Sequence, residues 1–137
     1  MVFGTFDILH PGHRNFFRQA RTLARRPWLI VSVARDHNVK KIKGRKPLRT
    51  EQQRLAAVRR NRLVNQAVLG AQNDYLSHIL KFQPAVIALG YDQKAYTGAL
   101  RQKLAARGLK LKVRRLKAFQ PGRFKSSLLA GPRPVDR

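Results

Sequence analysis

Short apolar runs alternate with segments of helical period along nearly all of this 137-residue chain, and no other feature narrows the fold so far. Runs of that length read as strands, and helical segments between them imply βαβ units around a parallel sheet. Val2-Phe3 leading into Gly4 is the first strand. Trp28 to Ala34, Ala67 to Gly70 and Ala85 to Leu89 follow, the second a continuous apolar run of the kind buried on both faces. Leu109 to Leu116 alternates Leu109, Leu111 and Val113 with Lys110, Lys112 and Arg114, the pattern of an edge strand with one wet face. The expected fold is α/β: a Rossmann-like doubly wound sheet of about five parallel strands in a single domain.

The helices between them carry their own signals. From His13 to Arg26, Phe16, Phe17, Ala20 and Leu23 share one face, Arg14, Arg18, Arg21 and Arg25 share the other, and Pro27 stops the helix. Thr50 with Gln53 forms a capping box ahead of a helix whose inner face is Leu55, Val58 and Leu63. Asp74 caps a helix carrying Leu76, Ile79 and Leu80 that ends before Pro84. Thr97 to Arg107 is a further helix closed by Gly108, with Leu100 and Leu104 inward. Residues 1–130 read as one domain, and 131–137, with Gly131-Pro132-Arg133-Pro134, as a frayed tail.

Charge sets the class of partner. Thirty Lys and Arg against six Asp and Glu leave a net charge of +24, while 43% hydrophobic residues supply a core. The chain is therefore a basic globular protein, and a polyanion is its expected company. With no cysteine there is neither a disulfide framework nor a thiolate zinc site. No apolar run approaches the ~20 residues of a membrane helix and no signal peptide precedes the first strand, so the reading is soluble and cytoplasmic, without a membrane partner.

Ligands of such sheets sit at the carboxyl ends of the strands, and the sequence is richest in chemistry there. After the first strand comes Gly4-Thr5-Phe6-Asp7-Ile8-Leu9-His10-Pro11-Gly12-His13. Gly4 and Gly12 permit close approach of backbone, Pro11 suits a first helical turn, and a helix start offers N–H groups to a phosphate. His10 and His13, three apart, can share one side of that turn and donate to one phosphoryl oxygen. The pair lacks a third ligand at plausible spacing, which leaves the metal assignment unknown. After the second strand the polar loop from Arg35 to Arg49 holds Asp36, Lys41 and Lys43. After the fourth, Gly90-Tyr91-Asp92-Gln93 offers Asp92 as an acceptor for a ribose or a base amine.

The first segment resembles the GTFDxxHxGH signature of the cytidylyltransferase-like nucleotidyltransferases. Leu89-Gly90-Tyr91-Asp92-Gln93 and the stretch from Val39 to Pro47 resemble the archaeal-type FAD synthases within that superfamily. The resemblance implies that Thr5, Phe6, His10, Pro11, Gly12, His13 and Asp92 bind nucleotide and that His10, His13, Lys41 and Lys43 are catalytic; Asp7 and Asp36 are candidates for the phosphate clamp, Asp7 either touching metal or bracing the loop before His10 and Asp36 organising the basic loop. It extends to a closing motif in which Phe119, Ser126 and Ser127 hold the nucleotide beside a basic residue, with Arg115, Lys117 and Arg123 as candidates. That motif departs from the family pattern, which usually has a tyrosine where Phe119 stands and a polar residue and lysine where this chain has Leu128 and Leu129.

The implied reaction is nucleotidyl transfer. A phosphorylated acceptor attacks the α-phosphate of a nucleoside triphosphate in line and pyrophosphate leaves, with Mg²⁺ or another divalent cation carried in by the triphosphate. An acceptor phosphate is already ionised at neutral pH, so the site has to offset anion repulsion more than it has to remove a proton. ATP with FMN, giving FAD, leads as the substrate pair; CTP with glycerol 3-phosphate or a related alcohol phosphate is the alternative. A basic nucleic-acid-binding module on a degenerate transferase fold competes from another class, and nucleic acid stands as an accessory partner of the enzyme reading. The resemblance also raises a homodimer.

Overall fold

Two parallel ladders form the sheet. In the computed structural model, which describes residues 1–91, 93 and 98–118, Val2–Gly4 (β1) pairs with Ile30–Val33 (β2), and β2 with Gln66–Leu69 (β3). Val86–Leu89 (β4) pairs with Lys112–Arg115 (β5). The ladders meet where the Ala88 N–H donates to the Met1 carbonyl at 3.1 Å and the Met1 ammonium donates to the Val86 carbonyl at 2.8 Å. The spatial order is thus β3-β2-β1-β4-β5, and its direction reverses between β1 and β4. In a doubly wound sheet that switch point is where a ligand crevice forms.

Alternation along the strands divides the core in two. Val2, Val31, Val33 and Ala67 face one side and pack with Phe17, Leu55 and Val58. Those three side chains come from the helices Pro11–Arg21 (α1) and Glu51–Arg59 (α3). Met1, Phe3, Ile30 and Ile87 face the other side and pack with Ile79 and Leu104, from Tyr75–Phe82 (α4) and Gly98–Ala106 (α5). Phe17 is fully buried, and burying a side chain of that size contributes about 1.5–3 kcal/mol. Helices on both faces make the architecture doubly wound, in agreement with the sequence.

Several boundaries differ from expectation: β2 begins at Ile30, not Trp28, which is 64% exposed, and β5 covers only Lys112–Arg115 of the expected Leu109 to Leu116. α1 ends at Arg21, not Arg26: the Thr22 hydroxyl donates to the Gln19 carbonyl at 2.6 Å, closing the last turn well ahead of Pro27. The expected loop after β2 begins with a helix, Asp36–Lys43 (α2), terminated by Gly44 at φ 80°. Leu63 lies past the end of α3 and reaches the core from the following turn. The caps at Thr50 and Asp74 form as read. Thr50 accepts from the Gln53 N–H while the Gln53 side chain accepts from the Thr50 N–H, and Asp74 accepts from the Ser77 N–H at 3.0 Å. Among the described residues no helix is long and apolar enough to cross a membrane.

Candidate active site

Beyond β1 the backbone turns sharply, with Phe6 in the left-handed region at φ 54°. A Cβ on Gly4 would stand 2.7 Å from the Phe6 ring, so only glycine lets that ring fold back over the strand end. Phe6 is buried, edge-on to His13 at 5.4 Å between ring centres and tilted against Phe17 at 5.5 Å. Its ring therefore forms the floor under His13. A left-handed bulky residue costs roughly 1–2 kcal/mol, and strain of this kind is characteristic of functional turns.

His10 is the N-cap of α1: its Nδ1 accepts from the Gly12 N–H at 3.0 Å. With Nδ1 acting as acceptor, a neutral imidazole carries its proton on Nε2, which makes that atom the donor. The rings of His10 and His13 stack at 3.8 Å with an interplanar angle of 27°. Both residues are shielded from solvent, 3% and 1% exposed. The expectation that the helix start presents backbone N–H groups to a phosphate needs correction. Pro11 has none, Gly12 donates to His10, and the N–H groups of His13 and Arg14 both donate to the His10 carbonyl. The backbone N–H groups of this helix start are committed within the turn.

The basic segment after β2 is anchored at both ends. The Asp7 carboxylate accepts from the Leu48 N–H at 2.8 Å and the Arg49 N–H at 2.9 Å. At the other end, Asp36 accepts from the Glu51 N–H at 3.1 Å while Glu51 accepts from the Asp36 N–H at 2.9 Å. These reciprocal caps join the starts of α2 and α3. Between the anchors α2 carries Lys41, exposed, and Lys43, half-buried. Arg54 lies beneath, wholly buried, and binds three segments together. It donates to Asp36 at 2.6 Å, to the Thr5 carbonyl at 2.8 Å and to the Arg49 carbonyl at 3.2 Å.

On the far side of the crevice, the Gln93 side chain accepts from the Gly90 N–H at 2.7 Å and donates to the Phe3 carbonyl at 2.9 Å. It thereby joins the end of β1 to the turn after β4. Arg115, at the end of β5, donates to the carbonyls of Gly90 at 2.8 Å and Gln93 at 2.5 Å, so it braces the turn after β4. Asp92, Phe119, Arg123, Ser126 and Ser127 lie outside the described residues.

A stacked histidine pair at the helix start, a cationic helix clamped beside it and a crevice at the switch point form the setting of phosphate-transfer chemistry. The sequence profile described as Cytidylyltransferase-like matches residues 1–130. The chain belongs to the cytidylyltransferase-like family. It is an enzyme of the nucleotidyltransferase type. Similar curated proteins carry the name FAD synthase. The one from Korarchaeum cryptofilum is 45% identical over 87% of this chain and 81% of its own length. The one from Archaeoglobus profundus is 41% identical over 97% and 83%. Among solved structures, the lipopolysaccharide core biosynthesis protein from Thermoplasma volcanium GSS1 superposes with a TM-score of 0.81 at 33% identity, covering 88% of this chain and 96% of that one.

Several supporting residues of this cytidylyltransferase-like site are not assigned a role by motif: Arg49, Glu51, Arg54 and, within the Gly90 motif, Gln93, whose side chain joins Gly90 to Phe3. Arg54 had a legible signal. It stands four residues before the core residue Val58, on the buried face of α3, and a basic residue on such a face needs buried partners. The others act through hydrogen bonds to segments distant in sequence.

Proposed function

We propose that the enzyme transfers the adenylyl group of ATP to FMN. A phosphate oxygen of FMN attacks the α-phosphorus, the bond from that phosphorus to the bridging oxygen of the β-phosphate breaks, and FAD and pyrophosphate result. The observation that carries the chemistry is the His10–His13 stack, with the His10 Nδ1 committed to the Gly12 N–H. That tautomer puts the ring proton on Nε2 in a water-shielded site, where donors to a phosphate gaining charge typically contribute about 10²–10³ in kcat each. The FAD synthase names of relatives above 40% identity support the substrate pair.

In this reading His10 and His13 donate to the α-phosphate, and Lys41 and Lys43 offset repulsion between the acceptor phosphate and the triphosphate. Thr5, Phe6, Pro11 and Gly12 shape the turn around the nucleotide, Asp92 accepts from the ribose or base, and Phe119, Ser126 and Ser127 bind the nucleotide. Asp7 and Asp36 position the basic helix, Arg115 steadies the turn after β4, and Arg123 is a further candidate for the closing basic partner. Both Asp7 oxygens already accept backbone N–H groups. Among the described residues no group of three metal-ligating side chains occurs. This donor set fits a Mg²⁺ held by phosphate oxygens, the hard ligands it prefers, and the ion would supply further charge neutralisation. The proposed location is the cytoplasm, where ATP is at hand.

A panel of ATP or CTP against FMN or glycerol 3-phosphate, with Mg²⁺ and pyrophosphate release as readout, tests the assignment. Release with ATP and FMN, accompanied by FAD, is expected. Release confined to CTP and glycerol 3-phosphate would transfer the assignment to cytidylyl chemistry.

A further inference from the structure

The crevice at the switch point continues along the carboxyl edge past the phosphate-handling residues. On the side of α4 and α5, a cleft of about 390 Å³ opens above the ends of β1 to β3, lined by Gly4, Ser32, Asn38, Ile42, Tyr75 and Gln93. Small-molecule sites typically run from roughly 300 to 1,000 Å³ and are largely apolar with a few fixed polar groups. The polar groups here are fixed: the Asn38 amide donates to the Ala71 carbonyl at 2.7 Å, and Ser32 Oγ bonds His78 Nε2 at 2.9 Å. At the rim, α2 contributes Ile42, 76% exposed, and α4 contributes Tyr75, 38% exposed. Neither is needed by either core cluster.

Ile42 stands between Lys41 and Lys43 on α2. One short helix therefore offers an apolar side chain to the cleft and ammonium groups within one residue of it. The matching ligand has an apolar planar ring at one end and a phosphate at the other. We infer that the cleft receives the isoalloxazine ring of the acceptor, with Ile42 and Tyr75 against its faces, and that these two residues set the preference for a flavin over a small alcohol phosphate. The inference rests on FMN being the acceptor.

Ile42→Ser and Tyr75→Ala test it, since both positions are exposed and outside the core, and circular dichroism checks folding. The KM for FMN should rise about tenfold or more, with the KM for ATP and kcat changed less than about twofold. Quenching of riboflavin fluorescence gives a second readout that needs neither phosphate nor turnover: saturable in the wild type, it should weaken in Tyr75→Ala. Wild-type FAD formation with an unchanged KM for FMN in both variants overturns the cleft assignment and leaves the acceptor reading standing. A rise in the KM for ATP alone gives the cleft to the base and equally overturns it. If the wild type forms no FAD, the acceptor reading fails separately and riboflavin decides the cleft. Saturable quenching lost in Tyr75→Ala supports a ring site, and absence of quenching overturns it.

Discussion

The two nitrogens of His10 have different roles, Nδ1 accepting in the cap of α1 and Nε2 carrying the ring proton. Asparagine can reproduce the cap through its side-chain oxygen but not a donor at the Nε2 position. His10→Asn should therefore keep the melting temperature within a few degrees while kcat falls about 100-fold or more; His10→Ala should lose activity and also about 1 kcal/mol of stability. Thermal melts beside initial rates separate the two effects, and an active His10→Asn would reduce His10 to a cap. At this scale the sequence was informative where interactions are local. The segment from Gly4 to His13 could be read because its turn, cap and histidine spacing are all set within ten residues. The commitment of the Gly12 N–H to His10 and the support of His13 by Phe6 depend on side-chain conformation, which spacing does not specify.

The clamp between α2 and α3 belongs to the scale of elements. Arg54 has no solvent exposure and holds Asp36, Thr5 and Arg49 together. Removing one partner of a buried ion pair costs about 3–5 kcal/mol, so Arg54→Met should lower the urea-unfolding free energy by about 3 kcal/mol. It should also raise the KM for ATP as the basic helix loosens; unchanged stability would show that the clamp carries no load. On α4, burial first and then the nearby cations Lys81 and Arg35 lower the pKa of His78 from its ordinary 6.5. The unfolded chain therefore binds more protons as pH falls toward and below 6.5, and stability declines in that direction. Unfolding at pH 5.5 and 7.5 should show that loss in the wild type and a smaller one in His78→Gln. The capping boxes were legible because they span three residues. α2 was not, because its basic composition masks an apolar pair, Val39 and Ile42, too small to establish a helical period.

For the whole molecule, the strand and helix alternation led to the doubly wound sheet, but the place where the two ladders meet depends on pairing across more than 80 residues. Charge is distributed differently from a simple outer stripe. On α1, Arg14 and Arg18 are exposed, as is Arg25 beyond its end, while Arg21 donates to the Leu63 carbonyl at 2.9 Å and to Asn65 at 2.6 Å and so ties α1 to the turn before β3. Most of the +24 still lies outside the candidate site. Binding to single-stranded RNA at low salt should follow, weaken steeply as salt rises, and survive joint His10→Ala and His13→Ala substitution; loss of binding in that double variant would place RNA in the active site. The central claim, direct transfer to FMN without a covalent enzyme intermediate, is tested most directly by stereochemistry. FAD formed from FMN and one diastereomer of ATP bearing sulfur on the α-phosphorus should show inverted configuration at that phosphorus, as a single in-line displacement requires. Retention would reveal two displacements, and that result would contradict the account.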